Sequence, residues 1–154
     1  MKININHFVS ILKTGKTLLY PTDTIWGLGC DATNQAAVAK IYALKKRDLS
    51  KPLIALVADV NMLSNYVSEL PENIHALLKS DVPTTLVYPK GKGLAKGVMA
   101  HNGSVAIRIP TAGFALDLVK SFGKPIVSTS ANISDAPVPE SVDEIDPHIL
   151  AQVD

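Results

Sequence analysis

Short apolar runs alternate with polar segments along the whole chain, and the spacing within the runs changes from one segment to the next. Apolar positions that recur every three or four residues predict helices at residues 6–14, 34–46, 62–67, 72–79 and 112–122. Continuous or alternating apolar runs predict strands at residues 17–20, 53–57, 85–88, 104–109 and 126–129. Strands that alternate with helices in this way predict a single α/β domain.

The connections between these elements differ in composition. The predicted strands 85–88 and 104–109 are joined by a segment with no helical pattern, and we therefore expect a mixed sheet. That segment, residues 90–103, is rich in glycine and lysine and is predicted to be a mobile loop. Residues 22–32 are predicted to form a long connection, and the segment after Asn132 is predicted to hold one weak helix near Val142.

Composition narrows the function classes. Of the 154 residues, 47% are apolar and 5% are aromatic, which predicts an aliphatic core. A formal net charge of +1 excludes the global positive field of a strong non-specific nucleic-acid binder. Cys30 is the single cysteine, which rules out an intrachain disulfide, and no apolar run reaches the roughly 18 residues of a membrane helix. We therefore expect a cytoplasmic protein without a membrane partner.

Cations cluster at the end of the predicted helix 34–46. Lys45 and Arg47 stand at this end, and Lys51 precedes the predicted strand 53–57. Two interpretations are open. Cations in a last helical turn stabilise the negative end of the helix dipole, and the same cations can neutralise the phosphate oxygens of a ligand. The local sequence alone favours the first interpretation, whereas the position at a strand entrance favours the second.

Polar or charged side chains lie within or just after three of the predicted strands, at positions where a ligand could bind. Ser128, Ser130 and Asn132 supply donors and acceptors that orient the neutral parts of a ligand. Thr22 comes just beyond the strand 17–20, at an edge where open α/β sheets usually bind ligands. Arg108 lies within an apolar strand, where an unpaired charge is costly. An ion pair and a carboxylate or phosphate ligand are both open for Arg108.

Other chemistry-bearing patterns are weaker. Residues 27–32 match a loose G-x-G-x-x-A dinucleotide pattern, but no predicted strand leads directly into a helix there. Residues 91–97 lack the G-K-[ST] end of a phosphate-binding loop, and no G-x-S-x-G elbow surrounds Ser128. The histidines are scattered without the spacing of metal ligands, and we expect no protein-built metal site.

Four runs, taken together, resemble the YrdC-like family, the threonylcarbamoyl-adenylate synthases. The runs occur in the family's order and spacing, at residues 20–29, 44–54, 105–108 and 128–132. The family's K-x-R signature falls on Lys45 and Arg47, and its S-x-N signature falls on Ser130 and Asn132. The resemblance implies a twisted mixed sheet, flanked by helices, around a concave cavity with a positive lining.

The resemblance also implies a reaction, in which L-threonine, bicarbonate and ATP give threonylcarbamoyl-AMP and pyrophosphate. Such a nucleotidyltransferase acts mainly by positioning and charge neutralisation, without a protein nucleophile. A separate tRNA threonylcarbamoyl transferase uses the product, and the chain would therefore serve tRNA modification. Mg²⁺ is expected to accompany ATP.

The family pattern implies two sets of site residues. The ATP set would be Lys45, Arg47, Lys51, Ser104, Ser130 and Asn132. The threonine set would be Thr22, Arg108 and Ser128. Lys45 and Arg47 would be the catalytic cations on the phosphates, and Arg108 would pair with the threonine carboxylate.

The chain departs from the family pattern in three places. Residues 80–85 replace a W-P-G-P-L-T-like run, and Val138 stands where a polar residue often contacts the nucleotide. The family's E-S-T-I-like run and a later arginine would follow residue 154. We therefore expect residues 1–154 to form a YrdC-like domain without that C-terminal segment. Two alternative functions stay open: a non-catalytic module that binds double-stranded RNA or tRNA weakly, and a related enzyme that forms another carbamoyl-adenylate.

Overall fold

The computed structural model describes residues 4–22, 25–79 and 82–154. The helices are α1 (Ile5–Lys13), α2 (Gln35–Lys45), α3 (Val60–Ser64), α4 (Ile74–Leu77), α5 (Phe114–Phe122) and α6 (Pro147–Gln152), with a 3₁₀ turn at Val142–Glu144. The strands are β1 (Leu18–Pro21), β2 (Trp26–Gly29), β3 (Ile54–Leu56), β4 (Thr85–Tyr88), β5 (Val105–Arg108) and β6 (Ile126–Ser130). Within the described ranges, no helix combines the length and apolarity that crossing a membrane requires.

The strands form one sheet in the order β1-β2-β6-β3-β5-β4. β3 and β5 run parallel, and the other neighbouring pairs are antiparallel. The predicted α/β domain with a mixed sheet is therefore confirmed. β6 lies between β2 and β3, with Ser130 opposite Gly27 and Ser128 opposite Ile54. The hydroxyl-rich end of β6 is thus held in the middle of the sheet.

Helices cover both faces of the sheet. α1 and α5 pack on one face through Leu12 and Leu118, which are buried in the same apolar cluster. α2 packs on the other face through Val38 and Ile41, which belong to a second buried cluster. Full burial of an aliphatic side chain stabilises the fold by about 1.5–3 kcal/mol before conformational entropy is subtracted. The two helix layers therefore fix the sheet that carries the polar strand ends.

Residues 22–32 were expected to form one long connection, and this prediction is wrong because Trp26–Gly29 form β2. The local sequence hides the strand because two of its four residues are glycine. Glycine is needed there for close packing: a Cβ on Gly29 would lie 2.4 Å from the Val127 carbonyl oxygen and 2.8 Å from Tyr20 Cε1. The G-x-G pattern thus lies inside a strand, which excludes the strand-to-helix turn of a dinucleotide site.

The C-terminal part of the chain also differs from the expectation. The weak helix near Val142 is a 3₁₀ turn, and α6, which the sequence pattern did not predict, follows it. The substituted run at residues 80–85 begins with Ser80 and Asp81, which lie outside the described residues.

Candidate functional site

A cavity of about 300 Å³ collects the polar ends of several strands. Its described lining consists of Thr22, Ile25, Gly27, Arg47, Pro52, Leu53, Ile54, Leu56, Arg108, Pro110, Ala115, Ser128, Thr129, Ser130 and Val138. The volume is at the lower end of the range for small-molecule sites, roughly 300–1,000 Å³. The charged members of this lining are both arginines, which makes the cavity attractive to anionic groups.

Five of the predicted site residues meet in this cavity, although they are far apart in sequence. Thr22 follows β1, Arg47 follows α2, Arg108 ends β5, and Ser128 and Ser130 lie on β6. The other four predicted residues, Lys45, Lys51, Ser104 and Asn132, lie outside the lining.

A left-handed residue at the end of α2 separates the two cations of the K-x-R signature. Lys46 has φ 47° and ends the helix, with its amide donating to the Ala43 carbonyl at 3.2 Å. The next amide, of Arg47, donates to the Tyr42 carbonyl at 3.0 Å. On the two sides of this turn, Lys45 enters the protein interior and Arg47 faces the cavity.

Arg47 is held by backbone carbonyls of the segment that leads into β3. Its Nε donates to the Lys51 carbonyl at 2.9 Å, and one Nη donates to the Pro52 carbonyl at 3.1 Å. These two bonds fix the guanidinium plane at the cavity wall. A fixed guanidinium suits a carboxylate or phosphate oxygen because little side-chain freedom is lost on binding.

Lys45 is 1% exposed, and its ammonium is surrounded by oxygen acceptors of the turn after β6. Nζ donates to the Ser130 carbonyl at 2.6 Å, to the Asn132 carbonyl at 2.7 Å and to Asn132 Oδ1 at 3.1 Å. Burial, and secondly the nearby Arg47 guanidinium, lowers the pKa of Lys45 to about 8. Lys45 is therefore still mostly a cation at neutral pH, and its three protons are used on this turn.

Asn132 is also buried, and its amide completes the same network. Its Oδ1 accepts a hydrogen bond from the Ser130 hydroxyl as well as from Lys45. Its Nδ2 donates to the Ala136 carbonyl at 2.7 Å. In this arrangement Ser130 lines the cavity, whereas Lys45 and Asn132 are buried and hold Ser130 through hydrogen bonds.

Arg108 and Thr22 each make a side-chain hydrogen bond that orients them. Arg108 Nε donates to Thr85 Oγ1, a neutral hydroxyl, at 3.0 Å. The ligand role of Arg108 stays a prediction. Thr22 Oγ1 donates to the Ile25 carbonyl at 2.6 Å and accepts from the Ile25 amide at 3.1 Å. The Arg108 guanidinium thus enters the cavity wall with its direction fixed by one side chain.

Lys51 and Ser104 have partners outside the cavity lining. Lys51 Nζ lies 3.5 Å from an Asp135 carboxylate oxygen. The Ser104 hydroxyl donates to Asn102 Oδ1 at 2.7 Å. The predicted nucleotide roles of these two residues stay predictions.

The burial of Lys45 and the hydrogen bond from Arg108 to Thr85 were missed at the sequence level. Only the burial of Lys45 could have been predicted from the sequence pattern. Lys45 follows Val38 and Ile41 at seven and four residues, which puts it on the buried stripe of α2. That spacing favours an interior cation over a solvent-exposed helix end. The orienting role of Thr85 had no comparable signal, because it depends on the pairing of β4 with β5.

Comparison with known sequences gives the same family as the four runs. The profile of the Sua5/YciO/YrdC family, described as "Telomere recombination", matches residues 10–154. The threonylcarbamoyl-AMP synthase of Stenotrophomonas maltophilia is 31% identical over 157 residues, which cover 99% of this chain and 84% of that protein. The threonylcarbamoyl-AMP synthase of Bacillus subtilis is 37% identical over 139 residues, which cover 88% of this chain and 40% of that protein.

Solved structures share the fold. Pyrococcus abyssi Sua5, crystallised with L-threonine, superposes with a TM-score of 0.90 at 31% identity and covers 100% of this chain. The match spans 47% of the Sua5 chain, and thus this chain has less than half the length of that structure. Full-length HypF in a phosphate- and nucleotide-bound form has a TM-score of 0.82 at 28% identity, covering 94% of this chain and 23% of HypF.

Proposed function

The chain belongs to the Sua5/YciO/YrdC family, and from that membership we propose that it forms threonylcarbamoyl-AMP from L-threonine, bicarbonate and ATP. The observation that carries the proposal is the convergence of two arginines and the hydroxyls of β6 on one cavity. The substrates bring a carboxylate and a chain of phosphates, and fixed guanidinium groups suit both. The product would supply tRNA threonylcarbamoyladenosine modification through a separate transferase.

The proposed reaction has two bond-forming steps. The threonine amine adds to bicarbonate and gives a carbamate with loss of water. A carbamate oxygen then attacks the α-phosphorus of ATP, and the bond from that phosphorus to the pyrophosphate oxygen breaks. Negative charge gathers on the departing pyrophosphate, and fixed cations stabilise it without forming a covalent bond.

We assign Arg108 to the threonine carboxylate and Arg47 to the phosphates. Ser128 and Thr22 line the same cavity as Arg108 and would contact the rest of threonine. Related structures support the two kinds of ligand, since Sua5 was crystallised with L-threonine and HypF with phosphate and nucleotide.

The nucleotide would rest on Ser130, with Asn132 orienting the Ser130 hydroxyl. Lys51 would add a cation at the edge of the cavity. For Lys45 to reach a phosphate, its ammonium would have to leave three oxygen acceptors. We therefore propose that Lys45 acts on the reaction chiefly by holding the Ser130–Asn132 turn. Its direct contact with ATP stays a prediction.

Mg²⁺ is expected to enter as the complex with ATP. In the described ranges, no cluster of three or more His, Cys, Asp or Glu side chains is arranged to hold a metal ion. Mg²⁺ keeps several waters and commonly binds through substrate phosphates, where it would neutralise part of their charge.

The test is pyrophosphate release from ATP by the purified chain, with threonine and bicarbonate omitted in turn. We expect release only when both are present, and a loss of about two orders of magnitude in Arg47→Ala, since removal of one fixed donor costs 10²–10³-fold in comparable sites. Lys46→Ala is the matched control because Lys46 is an exposed cation beside Arg47. A folded protein that binds ATP but shows no threonine-dependent release would reject the proposal.

Replacing threonine in the assay distinguishes the proposed enzyme from the alternative, an enzyme that forms another carbamoyl-adenylate. Other amino acids, or no amino acid, in place of threonine would then support pyrophosphate release equally well. The RNA-binding alternative predicts salt-dependent tRNA binding that ATP analogues leave unchanged.

A further inference from the structure

The segment after β6 carries an exposed carboxylate, Asp135, shortly before it reaches the cavity lining. Asp135 stands three residues before Val138, which belongs to the lining. An Asp135 carboxylate oxygen lies 3.5 Å from Lys51 Nζ, and the two side chains are 84% and 52% exposed. Lys51 directly precedes Pro52, another lining residue. The pair therefore joins, at the protein surface, the two segments that lead to the lining residues Pro52 and Val138.

The turn itself does not require this carboxylate. Asp135 has φ 67°, a left-handed conformation that glycine adopts with less strain. Its carboxylate contacts the Lys51 ammonium instead of the backbone of the turn. A glycine at this position would therefore keep the path of the chain and remove only the charge and the strain.

We propose that Asp135 is a specificity-determining residue that weakens the binding of highly phosphorylated ligands by occupying Lys51. In the free protein the carboxylate is the counter-ion of Lys51. Phosphates that reach Lys51 must displace it and then lie beside a like charge. The proposal rests on the proposed function because it takes ATP as the ligand. The weakening of binding should grow with the number of phosphates on the nucleotide.

The expected effect on ATP binding is small because both side chains of the ion pair are exposed to solvent. A solvent-exposed ion pair is weak, and its loss alone changes binding little. The larger effect is repulsion between the carboxylate and the triphosphate, which water and salt screen over about 10 Å at 0.1 M ionic strength. We therefore expect removal of the charge to tighten ATP binding about threefold to fivefold at low salt.

The experiment measures dissociation constants of ATP, ADP, AMP and adenosine by calorimetry for the wild-type chain, Asp135→Asn and Asp135→Gly. The asparagine variant removes the charge and keeps the left-handed side chain, and the glycine variant removes both. We expect both to bind ATP more tightly, ADP less so, and adenosine as the wild type does. The gain should disappear in high salt, and it should shrink in a Lys51→Ala background, where only the direct repulsion between carboxylate and phosphates is left.

Asp143→Asn is the matched control because it removes the same charge from an exposed position on the same C-terminal segment. The inference is overturned when Asp135→Asn leaves ATP binding unchanged, when adenosine binding shifts as much as ATP binding, or when Asp143→Asn gives the same gain. A wild-type chain that binds none of the phosphorylated nucleotides would instead reject the proposed function.

Discussion

Replacing Lys45 with methionine removes a buried ammonium and keeps most of the length of the side chain. Two backbone carbonyls, of Ser130 and Asn132, then lose the donor that now lies at 2.6 and 2.7 Å. Asn132 Oδ1 loses the same donor but keeps the Ser130 hydroxyl. The substitution therefore leaves two acceptors without this partner, a buried one on Asn132 and a part-buried one on Ser130, in the turn that carries Ser130 to the cavity.

The expected loss of stability follows from these two acceptors. An acceptor that is buried without a partner costs about 1–3 kcal/mol, which gives at most roughly 2–6 kcal/mol for the pair because the Ser130 carbonyl is only part-buried. The apolar packing of methionine and the removal of a desolvated charge offset part of this loss. A net destabilisation of about 3 kcal/mol is thus expected, against a typical total of 5–15 kcal/mol for a domain.

Urea unfolding followed by the fluorescence of Trp26 measures this loss. Trp26 is the single tryptophan, and its carbonyl accepts the Ala131 amide at 3.1 Å, which places it at the affected junction of β2 and β6. Lys46→Met is the matched control because it makes the same chemical change at an exposed neighbour, where we expect less than about 0.5 kcal/mol. The reasoning fails if the free energy of unfolding of Lys45→Met, from linear extrapolation of the urea transition, lies within about 1 kcal/mol of the wild-type value.

Nucleotide binding by the folded fraction of Lys45→Met separates support from direct contact. Loss of support for Ser130 should weaken ATP and adenosine by the same factor. A direct phosphate contact would weaken ATP much more than adenosine, and that result would contradict the positioning role of Lys45.

Three further variants test other parts of the structure. Thr85→Val keeps the side-chain shape but removes the acceptor of Arg108 Nε, and we expect a several-fold higher KM for threonine with little change in kcat. Gly29→Ala places a Cβ 2.4 Å from a backbone carbonyl oxygen, and urea unfolding should show a loss of about 1–3 kcal/mol. The pKa of Asp154 is lowered from the ordinary 3.8 to about 2, mainly because its carboxylate accepts a hydrogen bond from Lys40. Its contribution is therefore present above about pH 4 and lost as the pH falls toward 2, and Asp154→Asn should flatten the fall of Tm in that range.

Each of these variants has a control on the same kind of residue. Thr111→Val should leave KM unchanged because Thr111 is exposed. Gly27→Ala should cost less than Gly29→Ala because its nearest contact would be 3.0 Å. Asp143→Asn should keep the acid dependence of the wild type. Equal effects of a variant and its control would contradict the corresponding assignment.

Local sequence predicts the elements whose pattern matches their burial, and it fails where distant strands decide. α5 is recognised because Leu118, Val119 and Phe122 follow a helical period and are buried together. β2 is not recognised because Gly27 and Gly29 carry no strand pattern, and their strand exists through pairing with β1 and β6.

The candidate site shows the same division. The types of residue around the cavity were predicted, because charge and hydroxyl chemistry can be read from Arg47, Arg108 and Ser128 in sequence. Their environments were not all predicted, since the left-handed turn at Lys46 decides that Arg47 faces the cavity while Lys45, on the buried stripe of α2, faces the interior. Burial of that ammonium depends on carbonyl groups that follow it by more than eighty residues.

The central place of β6 links completion of folding to formation of the site. β6 is the last strand in sequence, and it alone bridges the β1–β2 hairpin and the β3–β5–β4 group in the described sheet. During synthesis these two groups are made first, and their facing edges stay open until residues 126–130 dock. Because Ser128 and Ser130 arrive on that strand, a chain that has not closed its sheet has no complete cavity. A ligand that binds the complete cavity would therefore also stabilise the closed sheet, by mass action on the docked strand.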